Sequence, residues 1–483
     1  MSESLFFYDL ETTGLKANQD RIMQFAGQRT DAEFNLVGDP VNIIVKQTPD
    51  MLPAPEAVLV TGITPQKTLE EGVTEAEFLN VFHKDICTKG TTFIGFNSVS
   101  FDDEFMRNVN YRNFYDPYEW HWDKGNSRWD ILDLTRMTRA LRPDGIEWPF
   151  NAKGEPANKL ELIAEANGLV HENAHDALSD VLATIAVAKM INEKQPRLLD
   201  YQFNNRSKAS LKEFFKSNKD FLYTSGTVSK EFMHTTAMTG LAKMDETTVL
   251  AYDLRFDPAQ FMDMSLEQIV ESMRPAKDRS VDKLPIKTIK LNKCPAVAPM
   301  AIFKDSGVQE RIKLDQETID KNIAQLNSDR GNFTSRIITA LEIIDKEKQE
   351  LYKERDLNAP AEQQMYSDFI GVFDKTVSSR LRHASPDEIG DFANQFHDQR
   401  LRDMVPLYKA RNYPKSLTSD EMRAYEDYRR EQLLGGGEKS RAAKYFKRLG
   451  ELANKENKTL QEDYLLEELK LYGESILPED VDD

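Results

Sequence analysis

An apolar and aromatic run at residues 5–8, Leu-Phe-Phe-Tyr, passes directly into Asp9, Leu10 and Glu11, then into Thr12, Thr13 and Gly14. The pattern predicts a half-buried strand. Side chains alternate across a strand, so Asp9 and Glu11 share one face and Leu10 takes the other. Residues 20–30 predict a second strand with a turn at 31–33. Residues 34–37 and 41–46 predict more strand on either side of a Gly38-Asp39-Pro40 turn. The connections are too short for crossover helices, so these strands pair as an antiparallel meander. Residues 49–55 are Pro-rich loop, 57–60 start a short element closed near Gly62, and 91–96 (TTFIGF) form a compact buried strand.

Helical spacing starts at 74–86, with Phe78, Val81 and Phe82 on one side. Asp102 opens a helix that carries Phe105, Met106 and Val109. The aromatic stretch 111–122 (YRNFYDPYEWHW) suits either packing or base stacking. Helices are predicted over 129–141, ended by Arg142-Pro143-Asp144-Gly145, and over 159–166. The clearest helix is 172–190, with Asn173 as its cap. Gln195-Pro196-Arg197 breaks the pattern and ends a first domain. Residues 214–223, 247–254 and 286–291 read as strands or short elements. Lys283, Lys287, Lys290 and Lys293 are either a phosphate track or a solvated strand edge. From about 362 the composition turns helical, over 365–373, 386–402, 419–434 and 461–472, with Gly435-Gly436-Gly437 as a loop.

A chain of 483 residues exceeds one ordinary core and calls for two to four domains. The formal net charge of -18 argues against a protein that coats duplex DNA by general electrostatics, but leaves room for a local basic groove. Cys87 and Cys294 are far apart and form no metal-spacing motif or disulfide framework, which points to a reducing compartment. The start MSESLFF carries no basic leader, and no apolar run approaches membrane-spanning length, so the expected location is the cytoplasm. No internal repeat, Walker-type loop or zinc-ligand cluster is present.

Candidate chemistry sits at element ends. Asp9 and Glu11 close the first strand, Asp102 follows the strand at 91–96, and His175 and Asp180 belong to the clearest helix. Adjacent acids repel unless a cation lies between them. Taken one at a time, these are solvated or capping acids and an exposed histidine. Taken together, the four carboxylates suit a pair of Mg²⁺ or Mn²⁺ ions, which serve in-line phosphodiester hydrolysis, with His175 as the base. His175 and Asp180 lie about 140° apart on an ideal helix and converge only if His175 precedes the regular turns.

Asp-Leu-Glu-Thr-Thr-Gly at 9–14, Asn-Ser-Val-Ser-Phe-Asp at 97–102 and His-Asp-Ala-Leu-Ser-Asp at 175–180 resemble the three motifs of the DEDD-type 3′→5′ exonucleases, in the branch that carries a histidine. The resemblance implies that Asp9, Glu11, Asp102 and Asp180 are metal ligands and His175 the general base. Asn and Phe before the acid select Asp102 over Asp103. Along its whole length the chain resembles the bacterial exonuclease I family, with matching stretches YRNFYDP at 111–117, SRWD at 127–130, NAHD at 173–176, QPR at 195–197 and NKCP at 292–295.

That family implies an α/β ribonuclease H-like nuclease domain with a mixed sheet (1–196), an SH3-like β-rich middle domain (197–352) and an all-α C-terminal domain (353–483), together C-shaped around a DNA channel. It implies a monomer that degrades single-stranded DNA processively to 5′-mononucleotides in repair and recombination. Asp9 is then expected to touch both ions and Glu11 to help place the terminal nucleotide. Lys159 takes the place of a DNA-contacting arginine and keeps the charge without the bidentate fork. Arg142 and Tyr201 match positions that bind the acidic, apolar C-terminal tail of single-stranded-DNA-binding protein. Two other readings stand beside this one. The first is an RNA-directed or proofreading exonuclease of the same superfamily. The second is a catalytically silent single-strand binder, whose mark would be a lost carboxylate; all four are present.

Overall fold

The computed structural model describes residues 4–171, 175–278, 280–357 and 359–478, with the side chains of 356 and 357 also outside the description. The first sheet has five strands: β1 (Ser4–Thr12), β2 (Ile22–Thr30), β3 (Leu36–Ile44), β4 (Thr91–Gly95) and β5 (Ser127–Asp130), in the order β3-β2-β1-β4-β5. β1 pairs antiparallel with β2 and parallel with β4, and β4 runs parallel to β5. This is the mixed sheet of a ribonuclease H-like domain. Alternation along β1 distributes its side chains over two cores. Leu5 and Phe7 pack with Val181 and Ile185 of the helix Ala177–Lys194. Phe6, Tyr8 and Leu10 pack with Phe78, Phe82, Phe105 and Trp120 on the other face. Asp9 and Glu11 continue the first of these rows, beside the 177–194 helix.

The middle of the chain forms an antiparallel sheet of β6 (Asp220–Thr224), β7 (Thr235–Asp245), β8 (Thr248–Asp253), β9 (Ile286–Lys290) and β10 (Ala296–Pro299), ordered β10-β6-β7-β8-β9. The helix Ile131–Leu141 lies between this sheet and the first domain. Its Met137, Ala140 and Leu141 are fully buried in a cluster with Leu222, Ala237, Leu254 and Phe303. Beyond the long helix Arg330–Leu357 the chain is helical, including Val372–Arg382, Gln399–Asn412, Ser419–Leu434, Arg441–Ala453 and Leu460–Ile476. The expected domain limit at 196/197 falls at the start of the helix Pro196–Asn204, and that at 352/353 falls inside Arg330–Leu357.

Several expected elements differ. β3 runs through Gly38-Asp39-Pro40 instead of turning there, with a register shift opposite Gly27–Arg29 and Gly38 at φ +71°. An edge strand tolerates proline and absorbs the extra residues as a bulge. Trp129 belongs to β5, paired with Ile94, and the helix starts after Asp130 caps it at Leu132. Residue 214 lies in the helix Lys208–Ser217, ahead of β6. Residues 365–371 are not helical. Arg400 takes the carbonyls of Gln364 and Asp368 at 2.9 and 3.0 Å, and the helix begins only at Val372. Among the described residues, no helix is long and apolar enough to cross a membrane.

Candidate active site

Each predicted ligand is delivered by a short, well-anchored piece of backbone. Asp9 and Glu11 come from the end of the central strand β1, opposite Ala26 and Gln24 of β2. Asp102 opens the helix Asp102–Arg112 just beyond β4, and Asp180 lies in the first turn of the helix Ala177–Lys194. That helix starts later than its composition suggests. His175 sits in a turn ahead of it with φ +67°. Asp176 is the N-cap, accepting from the Ser179 amide at 3.1 Å. Asn173, the expected cap, lies outside the described residues. The left-handed turn brings an imidazole nitrogen of His175 within 4.8 Å of carboxylate oxygens of both Glu11 and Asp180.

Asp102 and Asp103 are neighbours in opposite situations. Asp103 accepts a 2.6 Å hydrogen bond from the Tyr8 hydroxyl and pairs with Arg128, so its charge is consumed within the fold. Asp102 is 3% exposed, and its Oδ1 has no hydrogen-bond partner. A buried, unpartnered carboxylate oxygen is costly unless a cation meets it.

The electrostatics agree. Burial, followed by the charges of Asp102, Glu11 and Asp180, pushes Asp9 well above the carboxylate range. Burial and the charges of Asp180 and Asp102 push Glu11 to about 8. Asp102 is raised by burial and by Asp103, and Asp180 by burial, against the opposing hydrogen bond from His171. Four acids that disfavour one another's ionisation in one small volume fit hard divalent cations.

Sequence reasoning missed the surrounding shell. Gln24, 3% exposed, donates to Asp176 Oδ1 at 3.1 Å and accepts from the Ala177 amide at 3.3 Å, so β2 pins the turn that carries His175. Asp130 holds the loop between β4 and Asp102 through the amides of Asn97 and Val99, at 2.9 and 3.2 Å. His171 Nε2 lies 2.5 Å from Asp180 Oδ1. Gln24 stands opposite Glu11 in the meander, a position legible from strand register; the other two left no signal in spacing. Lys159 immediately precedes the helix Leu160–Ala166, lies 3.3 Å from Glu161 and lines the same cavity as Asp9, His175 and Asp180.

Of the aromatic stretch, Tyr111, Phe114 and Trp120 are buried in packing and Trp122 is exposed. Lys287 reaches Thr227 at 3.1 Å, so one member of the lysine series braces a turn. Arg142 and Tyr201 meet at a separate groove of about 580 Å³, shared with Lys194, Arg197, Leu198 and Ile302. The Tyr201 hydroxyl there is buried without a partner.

The end of β1 and the starts of two helices bring four carboxylates and a histidine together at a mixed sheet, the arrangement of a metal-dependent exonuclease of ribonuclease H-like fold. Family comparisons agree along the chain. The Exonuclease family matches residues 6–188, the Exonuclease I SH3-like domain 206–341 and the Exonuclease I C-terminal domain 359–476. Exodeoxyribonuclease I of Haemophilus influenzae is 36% identical over 482 residues, covering 98% of this chain and 99% of that one. Exonuclease I of Methylocaldum szegediense superposes with a TM-score of 0.90 at 36% identity, covering 98% and 99% of the two chains. Escherichia coli exonuclease I in complex with a dA16 oligonucleotide gives 0.89 at 31% identity, covering 98% of this chain and 100% of that one. An ExoI/SSB-Ct complex gives 0.89 at 31%, covering 99% and 100%. The chain belongs to the exonuclease I family.

Proposed function

We propose that this protein removes nucleotides from the 3′ end of single-stranded DNA, releasing 5′-mononucleotides processively in DNA repair and recombination. The observation that carries the reading is the convergence of Glu11, His175 and Asp180 beside Asp9 and the unpartnered Asp102. Asp9, Glu11, Asp102 and Asp180 would hold two Mg²⁺ ions, or Mn²⁺ in their place. When bound, such ions offset phosphate charge and make water a better nucleophile at neutral pH. His175, exposed in its turn, accepts the proton of the attacking water on an imidazole nitrogen. Glu11 and Lys159 place the terminal nucleotide, the lysine by charge. Gln24 and Asp130 keep the two acid-bearing turns in register.

Relatives of this family are known in complex with an oligonucleotide and with SSB-Ct. The second partner we propose is the C-terminal tail of single-stranded-DNA-binding protein. Its acidic, apolar character suits a groove where Arg142, Lys194 and Arg197 surround Leu198, Tyr201 and Ile302. The protein acts as a monomer in the cytoplasm.

The test is purified protein with Mg²⁺ on end-labelled single-stranded DNA, duplex DNA and RNA, each with 3′-hydroxyl or 3′-phosphate ends. Mononucleotides shed from the 3′ end of single-stranded DNA are the expected product. Preferential cleavage of RNA, or internal cuts, would replace this reading.

A further inference from the structure

Arg139, on the helix Ile131–Leu141, is 3% exposed and pairs with no carboxylate among the described residues. Burial lowers its pKa to about 10, with no facing acid to oppose the shift. Its donors go to neutral oxygens instead. One terminal nitrogen meets the Pro149 carbonyl at 2.8 Å. The other meets the Ala157 carbonyl at 2.8 Å and Asn158 Oδ1 at 3.2 Å. Two rings lie against the group, Phe150 at 4.7 Å and Trp148 at 5.7 Å. A buried charge that meets only neutral acceptors is a costly way to fill space, so its hydrogen bonds are the feature to explain.

All three acceptors belong to one excursion of the chain, residues 149–158, between Trp148 and Lys159. The Ala157 amide donates to the Pro149 carbonyl at 3.1 Å, and the Asn151 amide to the Glu155 carbonyl at 2.9 Å. Phe150 and Pro156 form an antiparallel bridge, so the two legs run side by side. Gly154 turns the tip with φ +73°, and Asn151 Oδ1 accepts from the Lys153 and Glu155 amides at 2.9 and 3.0 Å. Arg139 grips both legs at the base, where the chain departs at Pro149 and returns at Ala157.

The returning leg leads directly into the catalytic cavity. Asn158, Lys159 and Leu160 line the space of about 500 Å³ that holds Asp9, His175 and Asp180. The Lys159 side chain is 73% exposed, with its ammonium 3.3 Å from Glu161. A long, exposed lysine stem samples many rotamers, so the reach of its ammonium is set by where its backbone is fixed. Arg139 itself, covered by two rings and bonded to backbone, is not presented to a strand.

We infer that Arg139 is a positioning residue. By clamping both legs of the 149–158 excursion, it fixes the Asn158–Lys159 segment so that the Lys159 ammonium meets the terminal nucleotide. This rests on the exonuclease reading above and deepens it. Arg139 bonds none of the four site carboxylates, so its loss bears on substrate placement rather than on the metal ligands.

Arg139→Met keeps an apolar stem and removes every donor, whereas Arg139→Lys keeps the charge and replaces the fork with one ammonium. Both are made in the full chain, alone and combined with Lys159→Met. Steady-state hydrolysis of a short single-stranded oligonucleotide is then measured with Mg²⁺. Arg139→Met should raise KM roughly five- to tenfold with kcat within about twofold, and Arg139→Lys should raise it less. In the Lys159→Met background, Arg139→Met should change KM by less than about twofold, because the group it positions is gone. Trypsin cleavage after the exposed Lys153, mapped by mass, reads the excursion without reference to activity and should quicken in Arg139→Met. If Arg139→Met does not fold, Arg139→Lys carries the same comparisons. A KM effect that multiplies with that of Lys159→Met overturns the inference, since Arg139 then acts apart from the lysine. An unchanged KM with faster nicking overturns it as a purely structural role, and unchanged nicking overturns the clamp. Parent protein that fails to cleave any single-stranded DNA sinks the exonuclease reading instead, and the inference with it.

Discussion

Tyr8 and Arg128 both terminate on Asp103, while one residue earlier Asp102 keeps an oxygen free of any partner. The motif's choice of Asp102 over Asp103 has a physical counterpart: beyond the turn at Asn97–Phe101 the first acid keeps an unpartnered oxygen and the second is paired inside the core. His175 was legible conditionally, since five residues of helix would have turned it away from Asp180, and the left-handed turn resolves the conflict. The raised carboxylates give a measurable consequence. Glu11 titrates near 8 in the fold against 4.5 ordinarily, so its contribution to stability is full below about 4.5 and is lost as pH rises through about 8. Mg²⁺ requires the ionised form, so saturating Mg²⁺ should raise the apparent Tm by a few degrees near pH 8.5 and by much less near pH 6. Asp9→Ala should erase the gain and abolish hydrolysis, while single-strand binding survives. Equal Tm gains at the two pH values would count against a metal site here.

At the level of elements, strands that alternate or run apolar were readable, as were helices with strong caps. What escaped were elements decided by partners distant in sequence. β7, of mixed polarity, and β10, only four residues long, take their place from pairing with β6. The 365–371 stretch has helical composition, but Arg400 of another helix captures the carbonyls of Gln364, just before it, and of Asp368 within it. Gln24 is the most instructive case, because its strand was expected and its task was not. By binding Asp176 and the Ala177 amide it fixes where the 177–194 helix begins, and hence where His175 stands. Gln24→Leu should therefore slow single-turnover cleavage about ten- to a hundredfold, as loss of an outer-shell partner commonly does, with little change in Kd for single-stranded DNA. A Kd that weakens in step with the rate would mean that Gln24 shapes binding instead.

Across the whole molecule, the nuclease and C-terminal domains are joined by buried charge. Arg411 meets Asp50 at 2.6 Å and Glu362 at 2.7 Å, and Arg21 meets Glu362 at 2.9 Å, every side chain under one-tenth exposed. Burial alone would raise the Glu362 pKa; the guanidinium groups of Arg21 and Arg411 overcome it and hold the carboxyl far below its usual range. The stabilisation is therefore present above about pH 4.5 and is lost as pH falls. Arg411→Met leaves two buried acids facing one arginine and should cost about 3–5 kcal/mol, read as a lower urea midpoint and as early proteolysis between the domains. A midpoint within error of the parent would show that the pairs are dispensable. The two contacts that cross between domains, Arg411–Asp50 and Arg21–Glu362, join residues more than three hundred positions apart and could not be read along the chain.

The Ile131–Leu141 helix carries Arg136 into the catalytic cavity and ends at Arg142 beside the Tyr201 groove. Six residues of helix span about 9 Å along its axis. The partner tail proposed for that groove would hold whatever strand the partner carries on a short leash beside the carboxylates. On that proposal, hand-over would become an intramolecular encounter, governed by an effective concentration of order millimolar for a short flexible tether rather than by the dilute concentration of DNA ends.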